Sequence, residues 1–268
     1  MYLTEYHHHT DNSIDSKANM EEVCKQAIVK GIDEICFTDH YSVNPKLPTY
    51  GHMDFDIYFS QIKYCQDKFK DDLTVKAGIE LCEPHLMQEE YHEVLSQLEI
   101  DFILGSVHNI NEEKLRKFMN EREKNEAYQK YFEEVYSLVS SADIDVLAHL
   151  DLMKRYAVQT KGNYAFTDFQ EILHAILEKA VERDIGIEIN TSGLSNEHVG
   201  EAFPTREILK LYKHLGGEIL TIGSDSHHAH TVGNHLEGAL QMARQAEFTH
   251  VYTFTKRKLN RLLAVPGT

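Results

Sequence analysis

Six short apolar runs in this chain each end on a histidine, aspartate or glutamate: residues 4–9, 35–40, 75–80, 102–108, 145–149 and 219–227. Unrelated histidines and acids would fall on helices, loops and strand starts as well. Residues that close successive strands meet in space only if those strands run parallel and curl into a barrel, where the carboxyl ends of the strands build one face. The pattern therefore restricts the chain to a parallel α/β barrel with a cluster of polar side chains at one end.

The stretches between the runs agree. Strands are predicted over about 2–7, 34–38, 73–79, 102–107, 145–148, 186–190 and 219–223, and helices over about 20–30, 55–70, 88–98, 112–140, 168–183, 204–215 and 234–245. Asn19 and Glu22 have capping-box spacing ahead of the first helix, and Gly31 follows as its stop. Ile172, Leu173, Ile176, Leu177, Ala180 and Val181 recur at helical spacing in the fifth helix. Residues 251–254 predict a short strand before a last helix. Strand–helix alternation implies a parallel sheet with helical crossovers. The 268 residues are close to the roughly 250 of one such barrel. Seven strand–helix units instead of eight predict a distorted or incomplete barrel, in a single domain spanning 1–268.

The strand ends carry metal-ligand chemistry. His7 and His9 share one face of a strand, because strand side chains alternate with period two, and Asp225 and His227 repeat the spacing. Imidazole suits Zn, Fe and Ni, and carboxylate extends the choice to Mn. Alone, His108 or His149 reads as a core histidine; ending successive strands together, they read as ligands. No cysteine joins the set, which fits an open catalytic site better than a closed structural one. The 43 acidic residues against 27 basic ones leave a net charge of -16, part of which bound cations would neutralise. No Lys/Arg-rich run marks a nucleic-acid surface. No signal peptide or membrane-length apolar run is present. The four cysteines lack C-x-x-C spacing, as expected of reduced thiols in a cytoplasm.

The chain resembles the polymerase-and-histidinol-phosphatase (PHP) superfamily. The matching motifs are His7-His8-His9-Thr10 through Ser13, Thr38-Asp39-His40, Gly78-Ile79-Glu80, Gly105-Ser106-Val107-His108, Ala148-His149 and Gly223-Ser224-Asp225-Ser226-His227, in the family order. Within the superfamily it is most similar to the bacterial histidinol-phosphate phosphatases. The resemblance implies a distorted (β/α)7, TIM-like barrel holding two to three divalent transition-metal ions (Zn, Fe or Mn). It implies His7, His9, Glu80 and Asp225 as ligands of a first ion. Glu80 would bridge to a second ion with His108 and His149, and His40, His227 and Asp15 would hold a third. Many members carry histidine where Asp15 stands. Glu80 and Asp225 are then the catalytic carboxylates, and a hydroxide bridging two cations attacks phosphorus.

The implied substrate is a small anionic phosphate ester, L-histidinol phosphate in the first place. A different phosphate ester remains open as an alternative, as does a metal-binding regulatory module without turnover. Lys154 and Arg155 follow the fifth strand and are candidates to reach phosphate. Phosphatases of this group often carry an arginine soon after an Asn-Thr-Ser-Gly-Leu segment. Here residues 190–194 match, but Ser195-Asn196-Glu197 follows, leaving Arg155 or Arg206 to replace it. His228 is a further candidate for substrate contact. His85 reads as a loop residue, and His8 as pointing into the barrel wall. Oligomeric state has no sequence signature.

Overall fold

The computed structural model describes residues 2–264. In chain order the first strands are β1 (Thr4–His8), β2 (Glu34–Phe37), β3 (His40–Tyr41), β4 (Thr74–Cys82) and β5 (Phe102–Ser106). A small hairpin follows, β6 (Asn109–Ile110) and β7 (Glu113–Lys114). Then come β8 (Val146–Leu147), β9 (Gly186–Asn190), β10 (Leu220–Gly223) and a terminal hairpin, β11 (His250–Thr255) and β12 (Lys258–Ala264). The helices are α1 (Met20–Val29), α2 (Phe55–Phe69), α3 (Gln88–Leu95), α4 (Leu115–Asn120), α5 (Lys124–Ser141), α6 (Lys154–Ala157), α7 (Gln170–Glu182), α8 (Arg206–His214) and α9 (Leu236–Gln245).

Seven parallel strands form the wall in the order β1-β2-β4-β5-β8-β9-β10, and β3 extends the wall beside β4. The barrel nearly closes between β10 and β1. There Asp225 N–H donates to His7 O at 2.7 Å and His9 N–H donates to Ser226 O at 2.9 Å. The local signals act as expected. Asn19 accepts from Glu22 N–H at the start of α1, and Gly31 takes φ +71° just beyond its end. The larger apolar core packs the helices on the wall. A smaller one, made by Tyr6, Cys36, Phe102, Leu104, Val146, Ala148 and Phe254, is a separate cluster of strand residues.

Two expectations fail. The predicted helix over 112–140 begins as a hairpin. Asn111 and Glu112 adopt left-handed backbone (φ +49° and +65°), the conformation of a two-residue hairpin turn. The helical part is then split into α4 and α5. The predicted last helix is replaced, through residue 264, by β12. Its turn places Lys256 and Arg257 at φ +50° and +61°, without the Gly or Asn that signals such a turn. What holds it is tertiary: Lys256 N–H donates to Asp101 Oδ1 at 3.0 Å, and the Arg257 guanidinium grips Asp143 and Asp145.

Candidate metal centre and substrate cleft

The carboxyl ends of the strands bring all nine expected ligands together. Ligand atoms lie within 4.8 Å of one another in each of several overlapping groups: His7, His9 and Glu80; His7, His149 and Asp225; Glu80, His108 and His149; and His9, Asp15, His40 and His227. The side chain of Glu80 is fully buried and uses both oxygens. Its Oε1 faces His149 Nε2 at 3.0 Å and His108 Nε2 at 3.5 Å. Its Oε2 faces His40 Nδ1 at 2.9 Å, His7 Nε2 at 3.1 Å and His9 Nε2 at 3.4 Å. Asp225 is similarly divided. Its Oδ1 faces His9 Nε2 at 3.3 Å, and its Oδ2 accepts from Arg155 Nη2 at 3.1 Å.

So many buried imidazoles and carboxylates disturb one another. Burial would raise the Glu80 carboxyl, but His40, His7 and His108 outweigh it and hold it well below the carboxylate range. Asp225 is likewise well below, with His7, His9 and Arg155 overcoming its burial. Burial pushes His108 down to about 3 and His9 well down, whereas the facing carboxylates outweigh burial and raise His7 and His40, so the cluster without cations holds protons on some of its rings. Neutral nitrogens and ionised carboxylates are the forms that coordinate cations. The donor set, without any lysine in it, fits transition-metal ions. Asp15 is half exposed, with Oδ2 3.4 Å from His40 Nε2 and 3.3 Å from His227 Nε2.

Three of the six candidate ligand rings are held from behind by hydroxyls or a carbonyl. His9 Nδ1 meets Ser13 Oγ at 3.1 Å, His108 Nδ1 meets Ser106 Oγ at 3.2 Å, and His227 Nδ1 meets the Asp225 carbonyl at 3.1 Å. Asp225 and His149 both sit at positive φ, +51° and +22°. Such backbone persists where surrounding contacts over-determine it and concentrates at functional sites.

A cleft of about 620 Å³ opens over Asp15, His40, Cys82 and His108. Its walls include Ile14, Pro48 and Thr49, and also Asn109, Lys114, Arg116 and Tyr156. The Arg116 guanidinium lies 5.5 Å from the centre of the Tyr156 ring. Sequence reasoning missed Arg116 because it placed residue 116 inside an uninterrupted helix, and Tyr156 because the turn of helix α6 that carries it was read as loop. It also excluded cysteine, yet Cys82 Sγ lies 3.9 Å from His40 Nδ1.

The remaining candidates separate cleanly. Arg155 reaches the cluster through Asp225 and also hydrogen-bonds Ser192 Oγ. Lys154 does not: it is buried, pairing with Asp151 at 3.0 Å and Glu201 at 3.1 Å. Both cations lie over the Phe203 ring, at 5.1 and 5.4 Å, and their acid partners separate them. Arg206 lines a separate depression with Leu194 and Gly200. His228 is exposed, its ring stacked on His230 at 5.5 Å, and it is not among the residues lining the cleft. His85 binds Glu134 at 2.8 Å, and His8 is buried with its ring edge-on to Phe37.

A PHP domain matches residues 5–192. The chain belongs to the PHP family. It is 33% identical over 257 residues to a probable histidinol-phosphatase of Clostridium acetobutylicum, covering 94% of this chain and 96% of that protein. It is 29% identical to the histidinol-phosphatase of Lactococcus lactis, covering 97% of each. A crystal structure of the Lactococcus lactis enzyme, complexed with zinc, L-histidinol and phosphate, superposes with a TM-score of 0.89 at 27% identity over 97% of this chain and 99% of that one. As in that PHP phosphatase, one α/β domain forms a nearly closed barrel.

Proposed function

We infer that this PHP protein is a metal-dependent phosphomonoesterase that hydrolyses L-histidinol phosphate to L-histidinol and phosphate, a step of histidine biosynthesis. The observation that carries the reading is the complete set of nine ligands beneath an open cleft, in a chain similar along nearly its whole length to an enzyme crystallised with zinc, L-histidinol and phosphate. The cofactors are two to three divalent transition-metal ions, Zn, Fe or Mn. His7, His9, Glu80 and Asp225 would hold the first. Glu80, His108 and His149 would hold the second, and Asp15, His40 and His227 the third. When bound, such ions activate water for attack and neutralise charge on the phosphoryl group.

The protein's own contribution is placement. Glu80 presents one oxygen to each half of the ligand set, the geometry of a bridging carboxylate. Asp225 turns one oxygen to the histidines and the other to Arg155, so that it can orient the attacking water while fixing the guanidinium. Arg155 is our choice for phosphate contact, because its planar fork can pair with two oxygens at once. The cleft beyond, with Arg116 and Tyr156 on its wall, receives the leaving alcohol. Among the described residues no helix is long and apolar enough to cross a membrane. The four thiols are unpaired and buried, which supports a cytoplasmic place of action.

The test is kcat/KM for a panel of phosphate esters, run alongside elemental analysis. The reading expects L-histidinol phosphate to lead the panel in protein carrying at least two ions per chain. No turnover of that ester beside good turnover of a nucleotide, phosphodiester or phosphotyrosine would assign another substrate. No turnover of any ester by metal-loaded protein would leave a binding module.

A further inference from the structure

Glu188 lies on β9, one strand away from the nearest ligand-bearing loop, and belongs to no ligand group. It is 1% exposed. Its Oε1 is 2.6 Å from His7 Nδ1. Its Oε2 accepts the His149 backbone N–H at 2.9 Å and the Asn190 side-chain amide at 3.2 Å. Ionised, a carboxylate can only accept, so His7 must carry its proton on Nδ1. That leaves Nε2 as the nitrogen that can ligate, and it faces the cluster, 3.1 Å from both Glu80 Oε2 and His9 Nε2.

We propose that Glu188 is the positioning residue of the metal centre. Its two oxygens select the tautomer of His7 and hold the backbone of His149, so that one carboxylate sets ligands in two of the ion sites. The proposal rests on the reading of the cluster as a metal centre.

Three observations converge on it. Among the candidate ligand histidines, His7 alone has a carboxylate outside the ligand set behind it; His9 and His108 have serine hydroxyls and His227 a carbonyl. A carboxylate partner makes imidazole a stronger donor and fixes its orientation. His149 is the complementary case. Its Nδ1 is buried without a partner, so no side chain orients the ring from behind. What holds it is its backbone, at φ +22°, through the N–H that Glu188 accepts. Finally, Gly223 leaves room for the pair. A Cβ at residue 223 would lie 2.2 Å from His7 Cβ and 2.8 Å from Glu188 Oε1. The glycine ahead of Ser224-Asp225 is thereby required by the close approach of β1 at His7, and it also leaves Glu188 Oε1 its place beside the ring.

The experiment compares wild type with Glu188→Gln, which keeps the shape but offers one carbonyl oxygen where two acceptors are needed. Zn²⁺ is titrated into metal-free protein against a chromophoric chelator, and Co²⁺ absorption spectra are recorded for both chains. Glu188→Gln should need roughly ten- to a hundredfold more free Zn²⁺ for full loading. Its Co²⁺ bands should shift, while metal-free melting temperatures agree within a few degrees. Excess metal should restore most of kcat and leave KM unchanged. Zinc affinity within threefold of wild type, with unchanged Co²⁺ bands, would overturn the proposal while the metal reading stands. A metal-free Glu188→Gln chain that does not fold would also overturn it, assigning Glu188 to the fold. Wild type that takes up no Zn²⁺ would overturn both.

Discussion

Both ends of the barrel hold buried acids, but the acids are compensated in different ways. At the carboxyl end, acids and histidines crowd together and their compensating cations are missing from the sequence: Arg155 is the one guanidinium paired with a ligand carboxylate among the described residues. At the amino end, acids are matched by the protein itself. Arg257 grips Asp143 and Asp145, and the Tyr6 hydroxyl donates to Glu34 at 2.5 Å while accepting from Phe254 N–H. Phe254 itself packs against Phe102 at 4.9 Å, and Phe102 against Tyr6 at 5.0 Å. One end is internally satisfied and apolar-plugged, and so serves stability. The other gathers acids and imidazoles with a single guanidinium, the arrangement that under the proposed function would take cations and an anionic ester.

Substitutions should break the two ends in different currencies. The largest effect on turnover is expected from Glu80→Ala, which removes the carboxylate shared by both halves of the cluster. kcat/KM for L-histidinol phosphate should fall by about a thousandfold or more, with bound metal falling in parallel. Retention of a tenth of the activity would show that Glu80 is not the bridge.

Arg155→Ala comes next. Losing a charge-assisted contact costs about 1.5–3 kcal/mol, or roughly ten- to a hundredfold in kcat/KM. Arg155→Lys should recover only part, since an ammonium lacks the planar fork. A change under threefold at constant metal content would leave phosphate to the metals alone.

Arg257→Ala should invert the pattern. Asp145 is only 7% exposed and would lose its cation. The cost should be about 2–3 kcal/mol of stability, read from denaturant melts, with kcat/KM within about twofold of wild type. A large loss of turnover without loss of stability would mean that the ends are coupled.

The smallest effect is expected from His228→Ala. Its ring is outside the cleft, so activity should change less than about threefold. A loss comparable with that of Glu80→Ala would relocate the site.

What was legible in the sequence follows from what is local. Strand ends, the cap at Asn19 and the stop at Gly31 depend on neighbours a few residues apart, and they predict the barrel. Eight of the nine candidate ligands were legible because strand direction carries each to the same face; Asp15, in the loop after β1, was read only from the family resemblance. Glu188 was not, since in Gly186-Ile187-Glu188-Ile189-Asn190 it reads as one polar residue inside a buried strand. Its meaning comes from His7, 181 residues away. Lys154 and Arg155 were indistinguishable in sequence, and only their acid partners in space, Asp151 and Glu201 against Asp225, tell them apart.

The sequence by itself determined the alternation of strands and helices, the side of the barrel that carries the chemistry and the strand-end residues gathered there. These depend on backbone periodicity, which short stretches of chain encode. Tertiary structure decided which oxygens of Glu80 and Asp225 face which histidines, which of two adjacent cations meets the site, and that residues 250–264 fold as a hairpin. Those outcomes depend on contacts between residues far apart in the chain, whose geometry exists only once the barrel has closed.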